Sequence, residues 1–324
     1  MKAAYIEQVG PPEQIRYGEL PDPKIGPTEV LVRVSAVAVD PVDTYIRSGK
    51  LPMRLPTPFI IGRDLGGRVE RVGRSVTRFA RGDRVWSNNQ GFDGRQGTFA
   101  EQLAIDQTLL YRLPTGADER EVVAFVHSGL TALIGLERAQ LAAGESIFVG
   151  GGAGNVGSAV IQFARARGAK TFATAGSPVG IDWCRGLGAD GTANYKTDDV
   201  ARQAALVAPG GFNVYCDTSG HNDFDQAVGL LAPGGRIVVM AGMAARPQFP
   251  VGPFYVKNCS LFGFAITYAR ADQYDRAAVE INRHVEAGNL RVRIDRVLPL
   301  SAAAEAHRLV ESGARLEGKL VLTP

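Results

Sequence analysis

The sequence has few cysteine residues and no long apolar run. Its three cysteines, Cys184, Cys216 and Cys259, lie far apart among 324 residues. This spacing excludes a disulfide framework and a zinc finger, and it is typical of a reducing compartment. No stretch approaches the ~20 consecutive apolar residues of a transmembrane helix, and the N-terminal residues have no signal-peptide core. We therefore expect a cytoplasmic protein that has no membrane partner.

An excess of charge of one sign is also missing. The 36 Lys and Arg residues against 33 Asp and Glu residues give a formal net charge of +3. The basic residues are scattered, whereas a nucleic-acid-binding face needs them clustered. We therefore expect no nucleic-acid partner. The composition, 45% hydrophobic and 21% charged, is that of a soluble globular protein, and the length is sufficient for two domains.

The pattern of apolar residues changes along the chain. Residues 1–122 read as strands separated by proline and glycine, for example 29–39 and 66–73, whereas strands and helices alternate over 123–266. Such alternation predicts a parallel sheet with crossover helices. The remaining segment, about 267–324, resembles the first one in style. We predict an α/β protein with a β-rich domain over 1–122, completed by 267–324, and a doubly wound parallel sheet over 123–266.

A glycine-rich turn lies between a strand and a helix of the second segment. Gly152, Gly154 and Gly157 fit the pattern G-x-G-x-x-G, which binds a dinucleotide when it follows a strand and opens a helix. The first glycine permits a tight turn, the second lets the backbone approach the pyrophosphate, and the third lets the helix pack closely. The helix that begins at Asn155 and Val156 offers free N–H groups to the diphosphate.

The next strand predicts which dinucleotide is bound. NAD-specific sites usually carry Asp or Glu about 20 residues after the glycines, where it binds the ribose hydroxyls. Here the strand ends at Gly176 and Ser177, and the first carboxylate is Asp182. An acidic group would repel a 2′-phosphate, whereas a hydroxyl group can donate a hydrogen bond to it. The sequence therefore favours NADP(H), and Tyr195 is a candidate for a second hydrogen bond there.

Joined to its neighbours, the glycine turn resembles the zinc-independent branch of the medium-chain dehydrogenase/reductase superfamily, closest to the quinone oxidoreductases (zeta-crystallin-like). The segments that carry the resemblance, besides the turn, are 38-AVDPVDTYIRSG-49, 62-GRDLGGRVERVG-73, 81-RGDRVW-86, 128-SGLTAL-133, 232-APGGRIVVMAG-242 and 318-GKLVLTP-324. The resemblance implies a GroES-like catalytic domain interrupted by a Rossmann domain. It also implies a homodimer joined through the Rossmann edge strands, here 260-SLFGFAI-266.

Zinc-dependent relatives carry a cysteine ligand near the position of Asp40 and Gly-His-Glu where this chain has Gly62-Arg63-Asp64. Their lobe of four close cysteines has no counterpart in residues 86–102. Asp40, Asp64 and His127 form a conceivable ligand set, but catalytic zinc requires three protein ligands around an open position. We therefore expect no zinc.

Without a Lewis acid, a conjugated acceptor is favoured, because a quinone or enone spreads the incoming charge over its own π-system. We expect NADPH-dependent reduction of a quinone or a similar conjugated carbonyl compound. The alternative substrates are an enone, an alkenal or an enoyl-thioester. An alternative outside enzymology is a non-catalytic NADPH-binding protein that acts as a crystallin or binds RNA.

The resemblance also assigns candidate catalytic residues. The loop 38–49 is expected to lie against the nicotinamide and the acceptor, and Tyr45 is the preferred donor to the developing oxyanion; the alternative is a packing role. Asp40 replaces the asparagine usual in relatives, and could bind a ribose hydroxyl, donate a proton or cap the turn before Pro41. Thr131 resembles the threonine near the carboxamide, or is a buried helix residue.

The remaining cofactor contacts are expected in three groups. The diphosphate group comprises Gly152, Gly154, Asn155, Val156 and Gly157; the adenosine-phosphate group comprises Gly176, Ser177, Tyr195 and Arg315; and the other contacts are Ser219, Ala241, Gly242, Met243, Phe262 and Phe264. Relatives often carry lysine where this chain has Gly180. Arg315 could replace that charge, or it is a solvated surface residue.

Overall fold

The structure of the chain, a computed structural model, describes residues 1–313 and 316–324. The described strands are β1 Lys2–Ile6, β2 Arg16–Glu19, β3 Glu29–Val39, β4 Phe59–Ile60, β5 Leu65–Val72, β6 Arg84–Ser87, β7 Gln102–Asp106, β8 Tyr111–Arg112, β9 Ser146–Gly150, β10 Lys170–Ala175, β11 Gly191–Asn194, β12 Phe212–Asp217, β13 Leu231–Val239, β14 Ser260–Gly263, β15 Ile294–Pro299 and β16 Lys319–Thr323. The described α-helices are α1 Pro41–Ser48, α2 Glu119–Arg138, α3 Asn155–Ala166, α4 Pro178–Gly186, α5 Val200–Val207, α6 Phe224–Leu230, α7 Val251–Val256, α8 Ala271–Glu286 and α9 Ala303–Glu311.

The chain divides into two compact units. Unit 1 comprises residues 1–127 and 280–324, and unit 2 comprises residues 128–279. Unit 1 is built on two sheets, one with the strand order β2-β1-β4 and one with the order β15-β16-β3-β5-β6-β8, in which β7 also pairs with β3. Strand β16 pairs antiparallel with β3, with Leu320 opposite Val39. The last strand of the chain is therefore an integral part of the sheet of unit 1.

The segment expected as a loop over residues 38–49 contains a helix. Asp40 occupies the N-cap position of α1, Pro41 is its first residue, and the backbone N–H of Asp40 donates to the Asp43 carboxylate at 2.8 Å. Proline at the first position and an acidic group in the first turn both favour a helix start. Gly49 ends the helix with φ 78°, a left-handed conformation that suits glycine. This short helix fixes the position of Tyr45.

Unit 2 contains one six-stranded sheet in the order β11-β10-β9-β12-β13-β14. Every pair of neighbouring strands in it is parallel. In this order the first strand of the unit, β9, lies at the centre and the chain winds outward in both directions. It is the order of dinucleotide-binding doubly wound folds, in which ligands bind at the carboxyl edge where the winding direction changes.

Aromatic side chains fill the core on one face of this sheet. The rings of Phe148 and Tyr215 are stacked with centroids 4.6 Å apart, and Phe148 also stacks on Phe172 at 5.4 Å. Phe212 closes the group edge-on to Phe148 at 5.6 Å. These pairs come from adjacent strands, so the core holds β9, β10 and β12 in register and thereby positions the turns that follow them.

Among residues 1–313 and 316–324, no helix has both the length and the apolar character needed to cross a bilayer.

Candidate active site

The glycine turn follows β9 directly and leads into α3. The left-handed residue of the turn is Gly151, with φ 73°, one position before the first glycine of the pattern. Gly152 is required for another reason: a Cβ atom there would lie 2.8 Å from the Cβ of Ala173 on β10. A Cβ on Gly157 would lie 2.4 Å from the Gly151 carbonyl oxygen. Two of the three pattern glycines therefore serve close packing.

Gly154 differs from these two because it faces open space. A Cβ there would meet only the Gly151 carbonyl oxygen, at 3.3 Å. Gly154 is the N-cap residue of α3, and no side chain caps the helix start at Asn155 and Val156. The first N–H groups of a helix have no partner within it, and they carry the positive end of its dipole. The turn therefore presents backbone donors without steric cover, as a diphosphate requires.

The residues predicted to bind the adenosine phosphate lie on adjacent strand ends. Strands β10 and β11 run parallel with Ala175 opposite Asn194, so the residues that follow them meet. A Cβ on Gly176 would lie 2.4 Å from the Tyr195 hydroxyl oxygen, so the phenol ring covers this glycine. Ser177 is the N-cap of α4, where its hydroxyl oxygen accepts the Gly180 backbone N–H at 3.2 Å. The structure thus brings Gly176, Ser177 and Tyr195 together.

The loop after β12 is organised by a residue that the sequence reasoning missed. The Asp217 carboxylate accepts the backbone N–H of Ser219 at 2.7 Å and its hydroxyl at 2.6 Å. It also accepts the Asn222 N–H at 2.6 Å, and Asn222 donates to the Ala241 carbonyl oxygen at 3.1 Å. Asp217 thereby joins the loops after β12 and β13. An acidic residue at the end of a buried strand was the available signal.

The remaining predicted contacts of unit 2 lie on the following strand ends. Ala241, Gly242 and Met243 follow β13, and Gly242 is left-handed with φ 88°. Phe262 is half-buried on the edge strand β14, and Phe264 lies just beyond it with its ring 5.6 Å from the Arg138 guanidinium. Thr131 is buried in α2. Arg315 lies outside the described residues. Phe262 lies within β14. The other predicted cofactor residues that the structure describes lie in the segments that follow the carboxyl ends of the parallel strands.

Unit 1 contains a cluster of buried polar side chains around Asp40. The Lys319 ammonium group contacts Asp40 Oδ1. His127 Nδ1 lies 3.9 Å from Asp40 Oδ2 and 3.9 Å from Asp64 Oδ1. The Asn88 carboxamide nitrogen donates to Asp64 Oδ1 and lies 3.2 Å from His127 Nδ1. Asp40 precedes α1, Asp64 precedes β5, Asn88 follows β6, His127 is on α2 and Lys319 begins β16.

Burial sets the protonation states in this cluster. Burial opposes ionisation of Asp40, but the positive charges of protonated His127 and of Lys319 outweigh it, and the pKa of Asp40 lies below its usual range. Burial, and then the charge on Asp40, raise the pKa of Asp64 well above its usual range. The same two causes raise the pKa of Asp43 to about 8. Burial lowers the pKa of His127 to about 4. Asp40 therefore loses its proton more readily than Asp64, and His127 takes up a proton less readily than a solvent-exposed imidazole.

Asp40, Asp64 and His127 are also candidate ligands for a metal ion, because one ligand atom from each lies within 4.8 Å of the others. The surroundings do not fit a cation. The Asn88 amino group faces both Asp64 Oδ1 and His127 Nδ1, and the Lys319 ammonium lies on Asp40. A dication would meet N–H donors and a fixed positive charge at these atoms. These three residues therefore do not fit a zinc ion.

Comparison with known proteins finds a matching family model for each of two segments of the chain. The family model described as "Alcohol dehydrogenase GroES-like domain" matches residues 26–115, and the one described as "Zinc-binding dehydrogenase" matches residues 155–281. The quinone oxidoreductase of Sus scrofa is 32% identical over 330 residues, which cover 99% of this chain and 97% of the relative. The NADPH-dependent alkenal/one oxidoreductase of Arabidopsis thaliana is 30% identical over 310 residues, covering 93% and 74%.

The chain belongs to the zinc-independent quinone oxidoreductase family of medium-chain dehydrogenases/reductases. Solved structures agree on the fold. An NAD-dependent alcohol dehydrogenase superimposes with a TM-score of 0.91 at 30% identity, over 100% of both chains. A mycobacterial protein complexed with NADPH gives 0.85 at 26% identity, also over 100% of both chains. The predicted fold class, a GroES-like β-rich part and a Rossmann parallel sheet, is confirmed.

Proposed function

We propose that this chain is an NADPH-dependent quinone oxidoreductase that transfers hydride, without zinc, to a quinone or a similar conjugated carbonyl compound. The observation that carries the proposal has two parts. Helix α3 begins after Gly154 without a capping side chain, and no carboxylate follows the carboxyl end of β10 before Asp182. The uncapped backbone N–H groups at Asn155 and Val156 suit a diphosphate, and Ser177 with Tyr195 suits a 2′-phosphate. The name of the Sus scrofa relative supports the acceptor class.

The choice of NADPH over NADH rests on the end of β10. An NAD-binding relative exists, since one similar structure is an NAD-dependent alcohol dehydrogenase. In this chain, however, no acidic side chain follows β10 before Asp182, which lies within α4. The Ser177 hydroxyl oxygen accepts a hydrogen bond from the Gly180 backbone N–H. The hydroxyl hydrogen of Ser177 can therefore be donated to a phosphate oxygen. Tyr195 lies over Gly176 and is an exposed residue at the same place.

When bound, NADPH supplies the hydride. The protein's part is to orient the acceptor, exclude water and stabilise the oxyanion that forms on its carbonyl oxygen. We assign oxyanion stabilisation to Tyr45 on α1, and we propose that Asp40 and Thr131 are catalytic residues as well. The charges of His127 and of Lys319 keep the pKa of Asp40 below its usual range, so we expect Asp40 to accept hydrogen bonds and not to supply a proton.

A second candidate function is reduction of an enone or alkenal. The Arabidopsis thaliana relative, an alkenal/one oxidoreductase, favours it, and an enoyl-thioester reductase belongs to the same reaction class. These substrates spread charge less than quinones do and depend more on a hydrogen-bond donor. A non-catalytic crystallin-like or RNA-binding role is disfavoured by the net charge of +3.

The test combines binding and turnover. Titration with NADPH and NADH, followed by cofactor fluorescence, is expected to give tighter binding of NADPH. Assays with a naphthoquinone, an enone and an acyl-thioester then rank the acceptors. A chelator should leave turnover unchanged. Loss of all turnover on chelation and its return with zinc would contradict zinc-free transfer, and turnover with none of the acceptors would contradict an enzyme of this class.

The proposal also covers the domain bounds, the localisation and the assembly of the protein. We propose a catalytic domain of residues 1–122 with 267–324, a Rossmann domain of residues 123–266, and a cytoplasmic homodimer. The edge strand β14 carries Leu261, which is 43% exposed, and the nearby α7 exposes Tyr255 and Val256. An apolar edge strand is suited to pairing with a second copy.

A further inference from the structure

Two side-chain hydroxyl groups hold the backbone of the glycine turn that follows β9. The Ser158 hydroxyl on α3 donates to the Gly152 carbonyl oxygen at 3.2 Å. The Thr218 hydroxyl, directly after β12, donates to the Gly150 carbonyl oxygen at 2.7 Å and lies 3.2 Å from the Gly151 carbonyl oxygen. Both hydroxyl groups act on carbonyl oxygen atoms, so neither of them uses the backbone N–H groups that a diphosphate needs.

The Ser158 hydroxyl is itself oriented by a hydrogen bond from the next helix. The Trp183 indole N–H on α4 donates to Ser158 Oγ at 2.8 Å. An indole nitrogen only donates and a carbonyl oxygen only accepts, so the hydroxyl hydrogen of Ser158 points to Gly152. Helix α4 is also the helix that Ser177 caps. The series from Trp183 to Gly152 therefore connects the element of the predicted 2′-phosphate site to the turn of the predicted diphosphate site.

The composition of the turn explains why it needs this support. Residues 150–154 are four glycines and one alanine. Glycine has more backbone conformations available than any other residue, so fixing one conformation of this segment costs more conformational entropy. When side chains fix the segment before the ligand arrives, that cost does not fall on binding, and the affinity is higher.

We propose that Ser158, Trp183 and Thr218 are positioning residues for the cofactor. Their side chains hold the glycine turn in the conformation that presents the first N–H groups of α3 to the diphosphate. Ser158 and Trp183 act in series on one carbonyl group, and Thr218 acts in parallel with them on another. The inference rests on the proposed binding of NADPH, because it concerns the same diphosphate site. NADPH and NADH share the diphosphate, so the three residues affect both cofactors equally.

Removal of each hydroxyl group tests the proposal. The loss of one hydrogen bond of ordinary strength corresponds to about a fivefold change in an equilibrium constant. In Ser158→Ala and in Thr218→Val, we therefore expect the Kd of NADPH to rise about fivefold in a titration followed by cofactor fluorescence. The Kd of NADH should rise by the same factor, and kcat at saturating NADPH should stay unchanged. Thr218→Ser keeps a hydroxyl group and should retain the wild-type affinity.

Combined variants distinguish the serial from the parallel arrangement. Trp183→Phe should weaken NADPH no more than Ser158→Ala does. The double variant of these two positions should equal Ser158→Ala alone, because both changes interrupt the same series. Ser158→Ala combined with Thr218→Val removes two independent hydrogen bonds, so the Kd of NADPH should rise by at least the product of the single effects, about 25-fold.

Thr171→Val is the matched control within unit 2. It removes a buried threonine hydroxyl that donates to Asp190 Oδ2 at 3.2 Å, at the amino end of β10 and away from the glycine turn. This variant should lower the melting temperature and leave the Kd of both cofactors unchanged. An equal loss of affinity in Thr171→Val and Thr218→Val would overturn the inference, because the effect would then be a general loss of stability.

Two further outcomes would overturn the inference: unchanged affinity in both Ser158→Ala and Thr218→Val, or a loss that is confined to one of the two cofactors. Wild-type binding in the same titration tests the proposed function separately. A wild type that binds neither cofactor overturns both proposals. A wild type that binds NADPH, with unchanged affinity in the variants, overturns only the positioning role. A wild type that binds NADH alone overturns the choice of cofactor, and the same comparison of variants with NADH then decides the positioning role.

Discussion

Acid should destabilise unit 1 through His307, a residue remote from the cofactor segments in sequence. His307 is fully buried on α9, and neither ring nitrogen has a hydrogen-bond partner among the described residues. Its ring meets the edge of Phe99 with centroids 6.1 Å apart. Burial, and then the charge of Arg47, lower the pKa of His307 to about 3 from its ordinary value of 6.5.

The sign and size of the effect follow from proton binding. Between pH 6.5 and 3, the unfolded chain holds one more proton at position 307 than the folded chain. The free energy of unfolding therefore falls as the pH falls, by about 1.4 kcal/mol per pH unit and roughly 3 kcal/mol between pH 6.5 and 4. Asp43 has the opposite effect on the free energy of unfolding, because its raised pKa of about 8 gives the folded state the extra proton below pH 8. The difference in unfolding free energy between a His307 variant and the parent protein therefore isolates the effect of His307.

The assay is urea unfolding at several pH values from 7 to 4, followed by the emission of Trp86. Trp86 is buried in unit 1, and Trp183→Phe removes the other tryptophan, which lies in unit 2. In His307→Leu, the slope of the unfolding free energy against pH should fall by about 1.4 kcal/mol per pH unit, independently of any constant change in stability. His221→Gln is the exposed control. An unchanged slope in His307→Leu would refute the assignment.

The other predictions concern the cofactor, the acceptor and assembly. Ser177→Asp keeps an N-cap for α4 but repels a 2′-phosphate, so the ratio of NADPH to NADH affinity should fall at least about tenfold in a fluorescence titration; an unchanged ratio removes Ser177 from the phosphate site. Gly154→Val should fold normally, since its Cβ meets one atom at 3.3 Å, yet weaken NADPH about 100-fold or more; retained affinity contradicts the role of the turn. Tyr45→Phe should lower kcat about 10- to 100-fold without changing NADPH affinity, whereas full activity would leave Tyr45 a packing residue. Leu261→Lys should yield monomers by light scattering, and a persistent dimer would place the interface elsewhere.

Local patterns were sufficient for much of the fold. The apolar alternation over 29–39 corresponds to β3, and the helix expected to begin at Asn155 corresponds to α3. Both follow from the periodicity of neighbouring residues, which the sequence displays directly. The segment 38–49 resembles a loop in sequence, but Pro41 at a helix start and the Asp43 contact favour a helix.

The site was predictable only where neighbours in sequence form it. The glycine turn is local, whereas its left-handed residue, Gly151, lies one position outside the pattern. Asn88 and Lys319 could not be assigned, because Lys319 is 279 residues from Asp40, its partner. His127 was considered only as a metal ligand. Its hydrogen-bonding state depends on Asn88, and only tertiary structure brings the two together.

The pairing of β16 with β3 has a consequence for synthesis. Translation produces Asp40, Asp64 and His127 early, and it produces Lys319 only 279 residues after Asp40. Until the last strand emerges from the ribosome, the carboxylates lack their internal cation and remain in contact with water. Unit 1 therefore cannot seal its polar interior before β16 has been synthesised, and a nascent chain that stops short of β16 is an open substrate for cellular proteases.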